Sequence, residues 1–190
     1  MPQITNIMAE TEIIEPVVFS YLKSDIMLGV NQRSSYIGKM RGDKEHVDFI
    51  DRMSLTDGES FLSDDMLADA IEQVYEWVQA FGRNMEDTHV LTADGHIIFT
   101  LQPKEWWDRA AFSSVERYLK EALINYILYR WFEFTNTDEA STYFDKYEDY
   151  AHKAQLGMNA EGTKLHRRFN NAIGTPAYTP VDFPNELNYK

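Results

Sequence analysis

The chain has 190 residues, 44% of them hydrophobic and 14% aromatic, which suits one domain with a real core and argues against wholesale disorder. Its 31 acidic and 18 basic residues give a net charge of −13, a poor match for nucleic-acid phosphate, where affinity comes from Lys and Arg replacing counterions. With no cysteine, disulfides and thiolate chemistry are excluded, and the composition fits a soluble protein of a reducing cytoplasm.

Residues 1–11 carry no periodicity and read as an N-terminal arm, without the basic-then-apolar pattern of a secretory signal. From Glu12 onward, Ile13, Ile14, Val17, Val18, Tyr21 and Leu22 follow helical spacing. Pro16 is tolerated in a first turn, and Gly29 is a plausible stop. Residues 29–62 are the least regular part, punctuated by Gly29, Gly38, Gly42 and Gly58. They read as a loop or insertion with one short helix over Lys44–Met53. A loop this long inside a compact domain is usually functional, so it is a candidate contact arm.

Ser63 to Phe81 gives the clearest helical signal. Ser63 can cap its N–H groups, Asp64 and Asp65 suit the helix dipole, and Gly82 closes it. Leu67, Ala70, Ile71, Val74, Trp77, Val78 and Phe81 form the inward stripe, and Asp65, Asp69, Glu72 and Glu76 an outer acidic face. Residues 88–101 carry two β-prone runs around Asp94-Gly95, the signature of a hairpin on a tight primed turn. A lone hairpin is marginal in water, so it must lie on the helices or join a neighbour's strands.

After Pro103, Trp106 and Trp107 stand at the start of a long helix that is apolar on nearly all sides from Ala122 to Phe134. Such a helix must be buried all round, and a short chain has few elements for that, which points to burial against other subunits. The run is too short and too polar to span a bilayer. A turn, TNTDEA, leads to a last helix with the stripe Ala140, Tyr143, Phe144, Tyr147, Ala151 and Ala154; Asn136 and Glu139 resemble a capping box. Residues 158–190 form an extended C-terminal tail. Pro176, Pro180 and Pro184 keep it open, and Tyr178, Phe183 and Tyr189 supply anchors. The expected fold is mainly α: a helical bundle over 12–157 with one small β-hairpin and extended N- and C-terminal arms.

Catalytic signatures are missing from the sequence. There is no HExxH, no P-loop, no dinucleotide fingerprint and no GxSxG elbow. Glu45, His46, Asp48 and Asp51 are the densest set of possible metal ligands, but a solvated acidic face explains them more simply. No enzyme activity, cofactor or metal is expected.

The stretch KEALINYILYRWFEFTNTDEASTYFDKYEDYAHKAQLGMN resembles the C-terminal helical pair of head–tail connector (adaptor or neck) proteins of tailed bacteriophages and prophages. Ala122, Tyr126, Tyr129 and Trp131 match the first helix of that pair, and Ala140, Tyr143 and Tyr147 the second. Ala70, Val74 and Trp77 in the preceding acidic helix are compatible with it, and the resemblance covers about half of the chain. It implies a virion structural subunit, made in the host bacterial cytoplasm and located in the neck. The subunit would form a homo-oligomeric ring of about a dozen copies between portal protein and tail. DNA would pass through the ring without sequence-specific binding, and other neck or tail proteins would be partners. On that reading Asp65, Asp69, Glu72 and Glu76 face the DNA channel. Tyr36, Arg41, Trp106, Trp107, Tyr178, Phe183 and Tyr189 would make subunit or portal contacts. The alternative is a cytoplasmic regulatory module whose acidic helix binds a basic partner.

Overall fold

The computed structural model describes residues 15–41, 55, 60–82 and 88–161. It is mainly helical, with a small antiparallel sheet on one side of the helices. The chain opens with a strand where helical spacing was read: β1 spans Val17–Leu22. Phe19 and Tyr21 are buried, while Val18, Ser20 and Leu22 are exposed, the two-residue alternation of a half-buried strand. The helical reading fails because VVFSYL is a β-branched and aromatic run with six partners waiting across the fold. Val17 pairs with Leu101 and Leu22 with His96.

Those partners belong to the expected hairpin, β2 His89–Leu91 and β3 His96–Leu101, and the strand order is β1-β3-β2. The third strand gives the hairpin the sheet it could not form alone. Its turn differs from the two-residue primed form. Gly95 N donates to Thr92 O (2.9 Å) and Thr92 N to His96 O (2.8 Å). Gly95 has φ +78°, so a conventional turn centred on Ala93 and Asp94 is followed by one left-handed residue that re-enters the strand.

Immediately after β1, helix α1 runs Lys23–Arg41, through much of the region read as loop. Gly29, read as a helix stop, sits inside it. A Cβ there would lie 2.8 Å from Ile124 Cδ1, so the missing side chain lets two helices approach closely. Buried positions recur every four residues, at Ile26, Val30, Ser34 and Gly38. This narrow ridge, apolar at Ile26 and Val30 and small at Ser34 and Gly38, holds the helix by tertiary contact rather than by propensity. Leu55 is buried, and its N–H donates to Ser34 Oγ (3.3 Å). The helix expected over Lys44–Met53 lies outside the described residues, as do residues 1–11.

Helix α2, Ser60–Val78, ends in a single tighter turn at Gln79–Phe81. It starts before Ser63, which is buried within the first turns rather than capping them. The expected stripe is inside: Leu67, Ala70, Val74 and Val78 are fully buried, with Trp77 half-buried. Helix α3, Phe112–Thr135, follows a short turn capped by Asp108, whose carboxylate accepts from Ala110 N (2.9 Å). One residue, Asn136, separates it from helix α4, Thr137–Met158. The six-residue turn read from the sequence is thus helix on both sides, and the Asn136 side chain makes no cap hydrogen bond.

The two long helices form an antiparallel pair. Ring contacts match Phe132 with Tyr143, Tyr126 with Tyr147 and Tyr118 with Tyr150 along it. At the centre, Ala122 through Leu128 are buried without interruption. This is the all-round burial that the sequence demanded, but its source is different. Helices α1, α2 and α4 of the same chain cover α3 over Ala122–Leu128, whereas Phe134, at the end of the apolar run, stays exposed. Each buried Leu or Ile contributes roughly 1.5–3 kcal/mol. The inner face of the sheet closes the other side of the core with Phe19, Ile97, Phe99 and Leu101. Phe19 stacks on Phe112 at 4.9 Å, and Tyr21 Oη donates to Glu116 O (2.8 Å).

Candidate functional site

The acidic face of α2 is solvent-facing, since Asp65, Asp69, Glu72 and Glu76 are all exposed. The face is nonetheless divided. Asp69 turns toward α3, where Arg130 lies 3.5 Å away and Tyr126 Oη also reaches 3.5 Å. Glu72 turns toward the sheet, 3.0 Å from His89 Nε2. His89 stacks on Tyr75 at 4.0 Å, and its Nδ1 lies 3.2 Å from Thr88 Oγ1, so this edge is a tie between α2 and β2. Two of the four acids therefore serve the fold, while Asp65 and Glu76 project from the middle of the face.

Behind the face lies an aromatic seam. Trp77 Nε1 donates to Tyr147 Oη (3.1 Å), and Tyr147 Oη in turn donates to Gln73 O (3.1 Å). Tyr126 packs edge-on against Tyr147 at 5.0 Å. Burial, reinforced by the Asp69 carboxylate, pushes the Tyr126 hydroxyl up to about 12. Burial does the same to Tyr147, also to about 12, against the opposing hydrogen bond from Trp77. For Tyr129 the hydrogen bond to Glu133 (2.8 Å) is the main cause of an upward shift. Phenols held neutral in this way are packing groups that donate hydrogen bonds, with no tendency to act as bases near neutral pH.

The sequence-derived contact residues fall into three groups. Tyr36 is 62% exposed on α1, and Trp106 is 38% exposed with the Lys104 ammonium 5.5 Å from its ring centre. Trp107 is half-buried and donates through Nε1 to Gly157 O (2.8 Å), so it is a clasp within the chain rather than a free contact. Arg41 ends α1, but its side chain, like all of Tyr178, Phe183 and Tyr189, lies outside the described residues. So do Glu45, His46, Asp48 and Asp51. Among the described residues no group of three or more His, Asp or Glu side chains is placed to hold a metal ion.

Two surface features escaped the sequence reading. Phe134 (68%), Leu28 (55%) and Leu156 (54%) stand out of the helices as exposed apolar side chains. The helices of Phe134 and Leu28 read as apolar or irregular throughout, so no periodicity separated inward from outward positions there, while Leu156 lies off the stripe that ends at Ala154. The second is a groove of about 870 Å³ between the start of β1 and the entry to α3, with Pro16, Pro103, Trp107 and Phe112 in its walls. Its two prolines are eighty-seven positions apart, and only the pairing of β1 with β3 brings them together. No described helix is long and apolar enough to cross a membrane. No family model, curated protein or solved structure matches the chain.

Proposed function

We propose that the chain is a structural subunit of the head–tail connector of a tailed bacteriophage or prophage. It would act by assembly alone, in a ring with copies of itself between portal and tail. The observation that carries this reading is the convergence of the three matched sequence segments on one point. Trp77 of α2, Tyr126 of α3 and Tyr147 of α4 meet within hydrogen-bond or ring-contact distance. Ala122, Trp131, Ala140 and Tyr143 are buried along the same seam. The resemblance thus rests on the residues that define one helical arrangement, not on scattered letters.

In this reading the exposed apolar residues Phe134, Tyr36 and Leu156 meet neighbouring subunits or the portal. Asp65 and Glu76 give α2 a face that repels passing DNA, so the duplex slides without being held. The test is light scattering with negative-stain imaging of the purified protein, alone and mixed with portal-containing particle fractions. Rings, or a monomer that joins rings only on a portal template, are the expected result. A stable monomer or dimer that ignores such templates overturns the reading.

The exposed acids of α2 also fit the second reading, a module that captures a basic partner. It requires a heterologous binder whose affinity falls steeply with salt.

A further inference from the structure

The described chain begins and ends at the same groove. Glu15, Pro16 and Val17 form one of its sides. At the other end, residues 157–161 are stitched to the wall formed by 104–108. Asp108 N donates to Ala160 O (3.0 Å), Lys104 Nζ to Asn159 Oδ1 (3.0 Å) and Trp107 Nε1 to Gly157 O (2.8 Å). Glu161 forms a bridge with Trp107 itself. Residue 161, the last one described, therefore lies at the lip of this groove.

The chemistry of the two sides corresponds. Pro16, Val17, Pro103, Trp107 and Phe112 give the groove rigid apolar and aromatic walls, the kind of surface that takes extended proline-rich segments. Its charged residues balance, Glu15 and Glu105 against Lys104 and Arg109. The stretch from Gly174 to Pro184, GTPAYTPVDFP, has proline at every fourth position, two aromatic anchors and one charge, Asp182. The more basic stretch with Lys164, Arg167 and Arg168 has no matching acidic wall. Tethering strengthens the match. Twelve residues, 162–173, separate Gly174 from Glu161, and a tether of that length reaches on the order of 20 Å, which sets an effective concentration in the millimolar range.

We propose that this groove is the docking site of the chain's own C-terminal segment, residues 174–184. The proposal does not depend on the connector reading, since it rests only on the groove and on where the described chain ends.

The absence of native cysteine makes a direct test available on the full chain. One cysteine is placed on the groove at Ser113, or at exposed Glu105 as a second anchor. A partner cysteine is moved in turn through Thr175, Ala177, Thr179, Val181 and Asn185. Docking in cis predicts intrachain disulfides at one or two tail positions, at least about ten-fold faster than at their neighbours and independent of protein concentration. A control anchor at Ser141, near the far end of the α3–α4 pair, should give none of this selectivity. A smooth decline in rate with distance along the tail means an undocked segment and overturns the proposal. Crosslinks that form mainly between chains overturn it in favour of a neighbour's tail. Selective capture of an N-terminal cysteine at Thr5 instead assigns the groove to the other arm.

Discussion

Tyr147 shows how much of the fold rests on single polar groups. Its hydroxyl joins α4 to two residues of α2, accepting from Trp77 and donating to Gln73. Tyr147→Phe leaves the indole N–H without its partner, and the expected loss is about 1–2 kcal/mol. It should be read as a lower urea midpoint at unchanged m-value. The same phenol and that of Tyr126 contribute to the alkaline limit. Their folded pKa values, about 12, lie above the unfolded value of about 10. Their contribution is therefore whole below pH 10 and is lost as pH rises from 10 toward 12. Unfolding should move into that window, with tyrosinate absorbance from these two residues appearing together with loss of helical signal. Asn125 is the opposite case: it is buried in α3, its Nδ2 donates to Glu121 O, and its Oδ1 finds no partner. Asn125→Val, an apolar residue near it in volume, should be neutral or raise stability by about 1 kcal/mol. A loss of more than that in the same urea titration would show that the amide oxygen is satisfied in solution.

At the scale of elements, β1 offers the sharpest contrast between two readings of one stretch. A strand buries Phe19 and exposes Val18; a helix with the original stripe would bury Val18 with Tyr21 and Leu22. Phe19→Ala should cost about 3–5 kcal/mol and Val18→Ala under 0.5, measured by equilibrium denaturation. The elements that were legible early are those whose local pattern agrees with their tertiary role. The stripe of α2, the hairpin around Asp94-Gly95 and the Tyr143–Tyr147 face of α4 are examples. Those that were misread depend on distant partners. VVFSYL becomes a strand because His96–Leu101 lies beside it. KSDIMLGVNQRSSYIGKMR becomes a helix because Ile124 fits where Gly29 has no side chain. The four-residue recurrence Ile26, Val30, Ser34, Gly38 was the available signal, but small residues score weakly on any hydrophobic scale. The candidate surfaces followed the same rule. Acidic residues of α2 could be placed outward from the stripe, whereas a groove built from Pro16 and Pro103 exists only once the sheet is formed.

For the molecule as a whole, the middle of the central helix is buried by its own chain, so folding and assembly are separable. The melting temperature of the purified protein should not change over a hundred-fold dilution; a steady fall with dilution would mean that burial is completed between subunits. The register of β1 against β3 has a further consequence, in time rather than in space. The contacts from Val17↔Leu101 to Leu22↔His96 join residues more than seventy positions apart, whereas α3 and α4 meet across a single residue. Local contacts form quickly, and closing long loops is slow. The α3–α4 pair should therefore consolidate first and β1 should dock last. During synthesis β1 leaves the ribosome well before its partner strand exists, at a translation rate of about 5–20 residues per second. For several seconds the nascent chain must keep VVFSYL from pairing elsewhere, which makes this segment the point at which slowed or crowded synthesis would first produce aggregates.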